Sequence, residues 1–166
     1  MTQRHSNRAL DSIVGSWTVM MTVVDDDGAT TRADGLRADK TWFGDGRYVL
    51  EHIEGDFQSE RHKKLTLLGY NATRDRFEYV TADNHDGVVL FYTTLPTAAG
   101  RGREIELFTD YAMPQGETDR AIFITIRTTL SVESPDRHVL RNAYRYAGGI
   151  EKPFLEYIYT RKQEPA

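Results

Sequence analysis

The stretch HVLRNAYRYAGGIEKPFLEYIYTR, residues 138–161, reads as two β-strands and the turn between them. In its first half Arg141 and Arg145 fall on one side of a period-two alternation, with Leu140, Asn142, Tyr144 and Tyr146 on the other. Successive strand side chains point to opposite faces, so the arginines mark the solvent side and the other four the inner side. Gly148-Gly149 and Pro153 then punctuate the chain before a second run, Phe154 to Arg161. Strand, glycine turn and strand make a hairpin.

The same grammar extends back to Ser16. Strands are expected at about 16–24, 30–43, 47–57, 61–70, 76–83, 88–95, 103–111, 120–132, 138–147 and 154–161. Asp25-Asp26-Asp27-Gly28, Gly44-Asp45-Gly46, Asn71 to Asp75, Asn84 to Gly87, Pro114-Gln115-Gly116 and Ser134-Pro135-Asp136 supply the turns. One helix is expected before them. Ser6 or Asn7 can cap it, Ala9, Leu10, Ile13 and Val14 fall at helical spacing, and Gly15 closes it. About ten consecutive strands with short hairpins and no crossover helices predict an all-β, up-and-down antiparallel barrel with one short N-terminal helix. Closure removes both sheet edges, and ten strands enclose more space than side chains alone need to fill. A two-sheet sandwich is the structural alternative.

Face assignment continues where the two sets differ in chemistry. Ile105, Leu107, Thr109 and Tyr111 point in, opposite Glu104, Glu106 and Asp110. Phe77, Tyr79, Thr81 and Asp83 point in, opposite Arg76 and Glu78. The third strand stays open between Tyr48, Leu50, His52, Glu54 and Val49, Glu51, Ile53. The eighth stays open between Ile122, Ile124, Ile126 and the set Phe123, Thr125, Arg127, Thr129. The inferred interior is aromatic and partly polar. That suits a cavity with apolar walls and a few placed polar groups, or a core whose tyrosine hydroxyls reach the rim.

Composition removes several chemistries. The 166 residues (19.0 kDa) give one domain, 1–166, with residues 1–5 expected to be flexible. The absence of cysteine excludes disulfides, thiolate metal sites and a cysteine nucleophile, and fits a cytoplasmic location. A net charge of −4 argues against nucleic acid; the basic run Arg61-His62-Lys63-Lys64 is short and follows Glu60. No apolar stretch approaches the ~18 residues of a membrane helix, and the polar N-terminus does not resemble a signal peptide.

Leu10 to Trp17, with Gly15-Ser16-Trp17 after the helix, is similar to the start of calycin barrels. More specifically, the chain resembles the bacterial domain-of-unknown-function family 1579. Besides Leu10 to Trp17, the matching segments are Gly46-Arg47-Tyr48, Glu54-Gly55-Asp56-Phe57, Leu68-Gly69-Tyr70-Asn71, Asp83-Asn84, and Glu156 to Lys162. They span nearly the whole chain in the family's order. The resemblance implies a lipocalin-like barrel and no established reaction. Thr81 and His52 depart from it, standing where the family pattern has a tryptophan and an acidic residue. These changes would widen the cavity and add a titratable group.

His52 is the leading acid–base candidate, two residues from Glu54 on the same face; it reads equally as an outward strand histidine. Asp83, beside Asn84 at a strand end, is either a base or turn chemistry. Arg127 is either a carboxylate clamp, a partner of Glu156, or exposed. Tyr48, Tyr79, Tyr92, Asn142, Tyr144, Tyr146 and Tyr157 complete the expected ligand-binding set. No metal or cofactor is expected. His52-x-Glu54 is the one local pair with ligand spacing, and His138 or His52 could serve a haem barrel. The Asp25-Asp26-Asp27-Gly28 run lacks the spacing of a calcium loop. Three functions stay open. The first is binding of a small, largely apolar organic molecule in the cavity. The second is a cofactor-independent cyclase, isomerase or lyase acting there. The third is a partner-binding protein with a filled barrel. A monomer or a homodimer fits each.

Overall fold

The computed structural model describes residues 10–84, 87–95, 103–114, 121–146 and 148–163. Ten strands follow in chain order: β1 Gly15–Val24, β2 Thr30–Phe43, β3 Tyr48–Phe57, β4 Glu60–Asn71, β5 Arg76–Asp83, β6 Val89–Thr93, β7 Glu104–Pro114, β8 Ala121–Ser134, β9 Arg137–Arg145 and β10 Glu151–Arg161. Each pairs antiparallel with its sequence neighbour, and β10 pairs with β1, closing the barrel. The expected sandwich alternative is thereby set aside. Of the expected helix, only a turn at Leu10–Asp11 lies within the described residues, with the Ile13 N–H donating to Leu10 O at 3.1 Å. His5, His85 and Gly100-Arg101-Gly102 lie outside them.

One strand start and one bulge go beyond the sequence reading for local reasons. β10 begins at Glu151 and runs through Pro153, because the register shifts between Pro153 and Leu155. A bulge is where a sheet accommodates a residue that cannot donate. In β2 the extra residue opposite Val19–Met21 coincides with Gly35 at φ 78°, a left-handed conformation that glycine adopts without strain. Pairing is sparsest at one junction. Among the described residues β6 and β7 share a single bridge, Thr93 opposite Phe108, whereas β7 and β8 pair from Glu104 to Pro114.

The ambiguous faces are now fixed. In β3, Val49, Glu51 and Ile53 are buried while His52 and Glu54 are exposed. In β8 the buried set is Ile124, Ile126, Thr128 and Leu130, and Arg127 points outward to Glu106 at 3.0 Å and to Glu151. The proposed Glu156 partner belongs instead to Arg141, at 2.7 Å.

One end of the barrel is plugged. Trp17 is fully buried there, its Nε1–H donating to Ile13 O at 2.9 Å. The Arg161 guanidinium lies 4.2 Å from the Trp17 ring. It also donates to Ser12 O, Val14 O and Pro135 O at 2.8, 3.1 and 2.9 Å. One arginine therefore satisfies three carbonyls from both ends of the chain and presses on the plug by a cation–π contact.

Candidate functional site

Above the plug the lumen carries charge. Lys40 on β2 continues the inward row Leu36, Ala38, and Glu51 on β3 continues Val49, Ile53; both are buried. Lys40 Nζ sits 2.9 Å from Glu51 Oε1, 2.8 Å from His138 Nε2 and 3.8 Å from the Tyr159 ring centre. An ammonium has three donors, and these three neighbours account for them. Thr66 Oγ1 donates to Glu51 Oε2 at 2.8 Å. Burial would raise the Glu51 carboxyl, but Lys40's charge and the hydrogen bonds from Lys40 and Thr66 outweigh it and hold the pKa below the usual value. Burial lowers Lys40, against the opposing pull of Glu51.

His138 is fully buried between Trp17, edge-on at 4.3 Å, and Tyr159, stacked at 4.2 Å. Burial first, then the charges of Lys40 and Arg161, push its pKa far below that of a free imidazole. It is neutral, and its Nε2 accepts from Lys40, so the proton is on Nδ1. With Nε2 taken, His138 has no nitrogen to offer a haem iron from that side. The linkage sign follows from the depressed value. The unfolded chain takes up a proton as pH falls below 6.5 and the folded chain does not. Folding stability should therefore fall below pH ~6.5 by about 1.4 kcal/mol per pH unit from this group. Urea denaturation of the wild type and of His138→Gln across pH 5 to 7 should show the slope lost in the variant.

The upper lumen is where space remains. A cavity of about 380 Å³ includes Met21, Phe57, His62, Tyr146 and Tyr157 in its walls, with Asp25 and Asp26 also lining it. A second lobe of about 240 Å³ is lined by Lys64, Thr81, Leu90, Tyr92, Ile126 and Asn142, among others. Asp83, Tyr144, Phe154 and Leu155 border both, so the two lie side by side in the lumen. Tyr144 stacks on Phe154 at 4.0 Å. Asn142 accepts from Thr128 Oγ1 at 2.9 Å. Tyr79 and Tyr92 pack inside with ring centres 5.4 Å apart. Tyr79 Oη and Thr81 Oγ1 lie near one another, yet neither completes a hydrogen bond of normal geometry.

The structure thus brings Asp83, Asn142, Tyr92, Tyr144, Tyr146 and Tyr157 to one lumen, with Tyr79 buried beside Tyr92. It takes three expected residues away from it. His52 is exposed on the outer wall, beside Leu65 and Ala82, because β3 turns Glu51 inward. Tyr48 lies on that same outer side over Gly69, where a Cβ would collide with its ring. Arg127 is held outside by two glutamates. His52-x-Glu54 is no metal pair either, since Glu54 binds Arg61 at 3.1 Å. Among the described residues no three potential metal ligands gather. Asn84 pins β4 at the rim: its side chain accepts from the Lys63 N–H at 2.6 Å and donates to Arg61 O at 2.7 Å.

Sequence reasoning missed His62 and Lys64, which it took as half of a surface basic run. The run alternates: Arg61 and Lys63 are exposed, His62 and Lys64 buried. Lys64 Nζ lies 4.2 Å from the Tyr157 ring centre, and His62 Nε2 is 3.5 Å from Tyr157 Oη. The signal was available in the strict alternation with Thr66 and Leu68.

Other solved barrels resemble this one. An S-type phycobiliprotein lyase from Guillardia theta superposes with a TM-score of 0.57 at 14% identity, over 99% of each chain. A redesigned β-barrel gives 0.45 at 12% identity, over 94% of this chain and 96% of that one. EF1p2_mFAP2b bound to DFHBI gives 0.47 at 11% identity, over 95% and 99%. At such identities the likeness is one of fold. No curated protein matches the sequence. The model of DUF1579, a family of proteins of unknown function, matches residues 2–161, and the chain belongs to that family.

Proposed function

We propose that the barrel binds a small, largely apolar organic molecule in its upper lumen. One observation carries this reading. Adjoining spaces of about 380 and 240 Å³ are walled by Tyr92, Tyr144, Phe154 and Tyr157, with His62, Lys64, Asp83 and Asn142 as polar groups set among them. Apolar walls with a few polar groups are what a small-molecule site requires. A barrel filled by its own side chains would not leave that volume. If the molecule is also transformed there, Asp83 and His62 share the cavity as acid–base groups, with Asp25 and Asp26 also lining it; His52 does not reach it.

Thr81 offers the direct test, since it lines the smaller lobe and is buried. Thr81→Trp should fill that lobe and weaken a neutral apolar fluorophore such as phenylnaphthylamine by about tenfold or more. His52→Ala, on the outer wall, should leave the affinity unchanged. Fluorescence titration reads both, and circular dichroism checks that the barrel is intact. Equal binding by the wild type and a folded Thr81→Trp variant would place the probe elsewhere and defeat the reading.

A further inference from the structure

We propose, building on the cavity-binding reading above, that the lumen selects an organic acid: an apolar body bearing one anionic group, which docks on Lys64 by displacing Asp83. Among the described residues, Lys40, Glu51, Lys64 and Asp83 bring charge to the inside of the barrel. Glu51 is occupied from two sides, by Lys40 at 2.9 Å and by Thr66 at 2.8 Å, and Lys40 also engages His138. That pair sits at the deep end, and the charge of Lys64 also reaches Glu51 and adds, as the smallest of the causes, to holding its carboxyl low. Lys64 stands higher, on β4, and the residue directly opposite it on β5 is Asp83. Both side chains line the smaller lobe.

The two side chains are unequally placed. Lys64 is buried at 5% exposure, whereas Asp83 is only half-buried at the rim, where both lobes meet. A half-buried carboxylate regains hydration when it turns outward, so giving it up costs little. A buried ammonium needs an anion close by, because desolvated charge is expensive without a partner. Tyr157 supports the ammonium from below by its ring face but brings no negative charge. A carboxylate or sulfonate entering from the open end meets Lys64 just below Asp83. Its apolar body meets Leu90, Tyr92, Ile126 and Leu155. The exchange of one anion for another keeps the interior charge constant. It is the ligand's apolar surface that supplies the net gain.

A matched pair of probes tests this. Anilinonaphthalene sulfonate and phenylnaphthylamine share an aromatic body and differ by the sulfonate. Wild-type protein should bind the sulfonate more tightly. Lys64→Met should weaken the sulfonate by about tenfold or more and leave the neutral probe within about twofold. Asp83→Asn removes the competing anion and should tighten the sulfonate several-fold. Asp56→Asn makes the same change of charge on the outer wall, where Asp56 is exposed, and should do nothing.

Sulfonate binding that is undiminished in Thr81→Trp would be surface binding and would overturn the proposal. So would equal losses for both probes in Lys64→Met, or a weaker sulfonate in Asp83→Asn. If Lys64→Met does not fold, Asp83→Asn decides the matter. Should the neutral probe bind the lumen with no preference for the sulfonate, the charge inference fails and the cavity reading survives. Should neither probe bind, both fail.

Discussion

Glu51→Gln should destabilise the barrel by about 3–5 kcal/mol, the usual cost of leaving one charge of a buried pair uncompensated. The charge at issue is Lys40, 4% exposed and 2.9 Å from the lost oxygen. Lys40 is almost fully buried, and its remaining neighbours, His138 and the Tyr159 ring, carry no negative charge. The variant can relieve itself only by losing the lysine proton, which its lowered pKa makes easier but does not make free. Lys40→Met should be costly for the mirror reason. The double variant should cost less than the sum of the singles by about 1–3 kcal/mol, because each change removes what makes the other harmful. Urea denaturation midpoints of the four proteins measure the cycle. Additive losses would mean that the two groups do not act as a pair.

Trp17→Ala should cost a further class of energy, about 3–5 kcal/mol, from lost burial and an unfilled hole. The ring is fully buried and touched on separate sides by His138, Ile13 O and Arg161. Its removal strands the Arg161 guanidinium without its aromatic face, and that guanidinium joins Ser12 and Val14 to Pro135. A fall of roughly 10 °C or more in the melting midpoint is expected for a chain of this size. A loss of a degree or two would show that the plug is dispensable.

These two sites explain how far the sequence could be read. Strand number and hairpin positions were legible because turns are spelled in Gly, Asn, Asp and Pro, and the alternation between them is regular. Faces were legible in β7 and β9, where charges keep to one side, and in β5, where only Asp83 at the strand end breaks that pattern. They were illegible in β3, because Glu51 shares the inner face with Val49 and Ile53 while His52 shares the outer face with Leu50. A rule that puts charge outside fails wherever a barrel wraps an ion pair, and Lys40, Glu51 and Lys64 all violate it. The outer wall misleads in the opposite sense: Leu65, Val89 and Phe91 are exposed there. Arg127 was ambiguous for a simpler reason, since its neighbours Thr125 and Thr129 suit either side of a sheet. The aromatic half of the site was legible because tyrosines recur at inward positions of strands whose other face is charged. Its ionic half needed the register between strands, as in Lys64 opposite Asp83, which no single strand reveals.

The single bridge joining β6 to β7 changes what kind of object the barrel is. A tube sewn shut along its whole length resists twisting; a tube slit along one seam loses most of that resistance while keeping its circumference. Among the described residues the other nine junctions pair over five residues or more, some through a bulge, so shear between strands has one line along which to relax most easily. Leu90 and Tyr92 on one lip and Tyr111 on the other all face the smaller lobe. The seam of sparsest pairing therefore runs beside the smaller lobe, and a change of girth there would break the fewest ladder bonds.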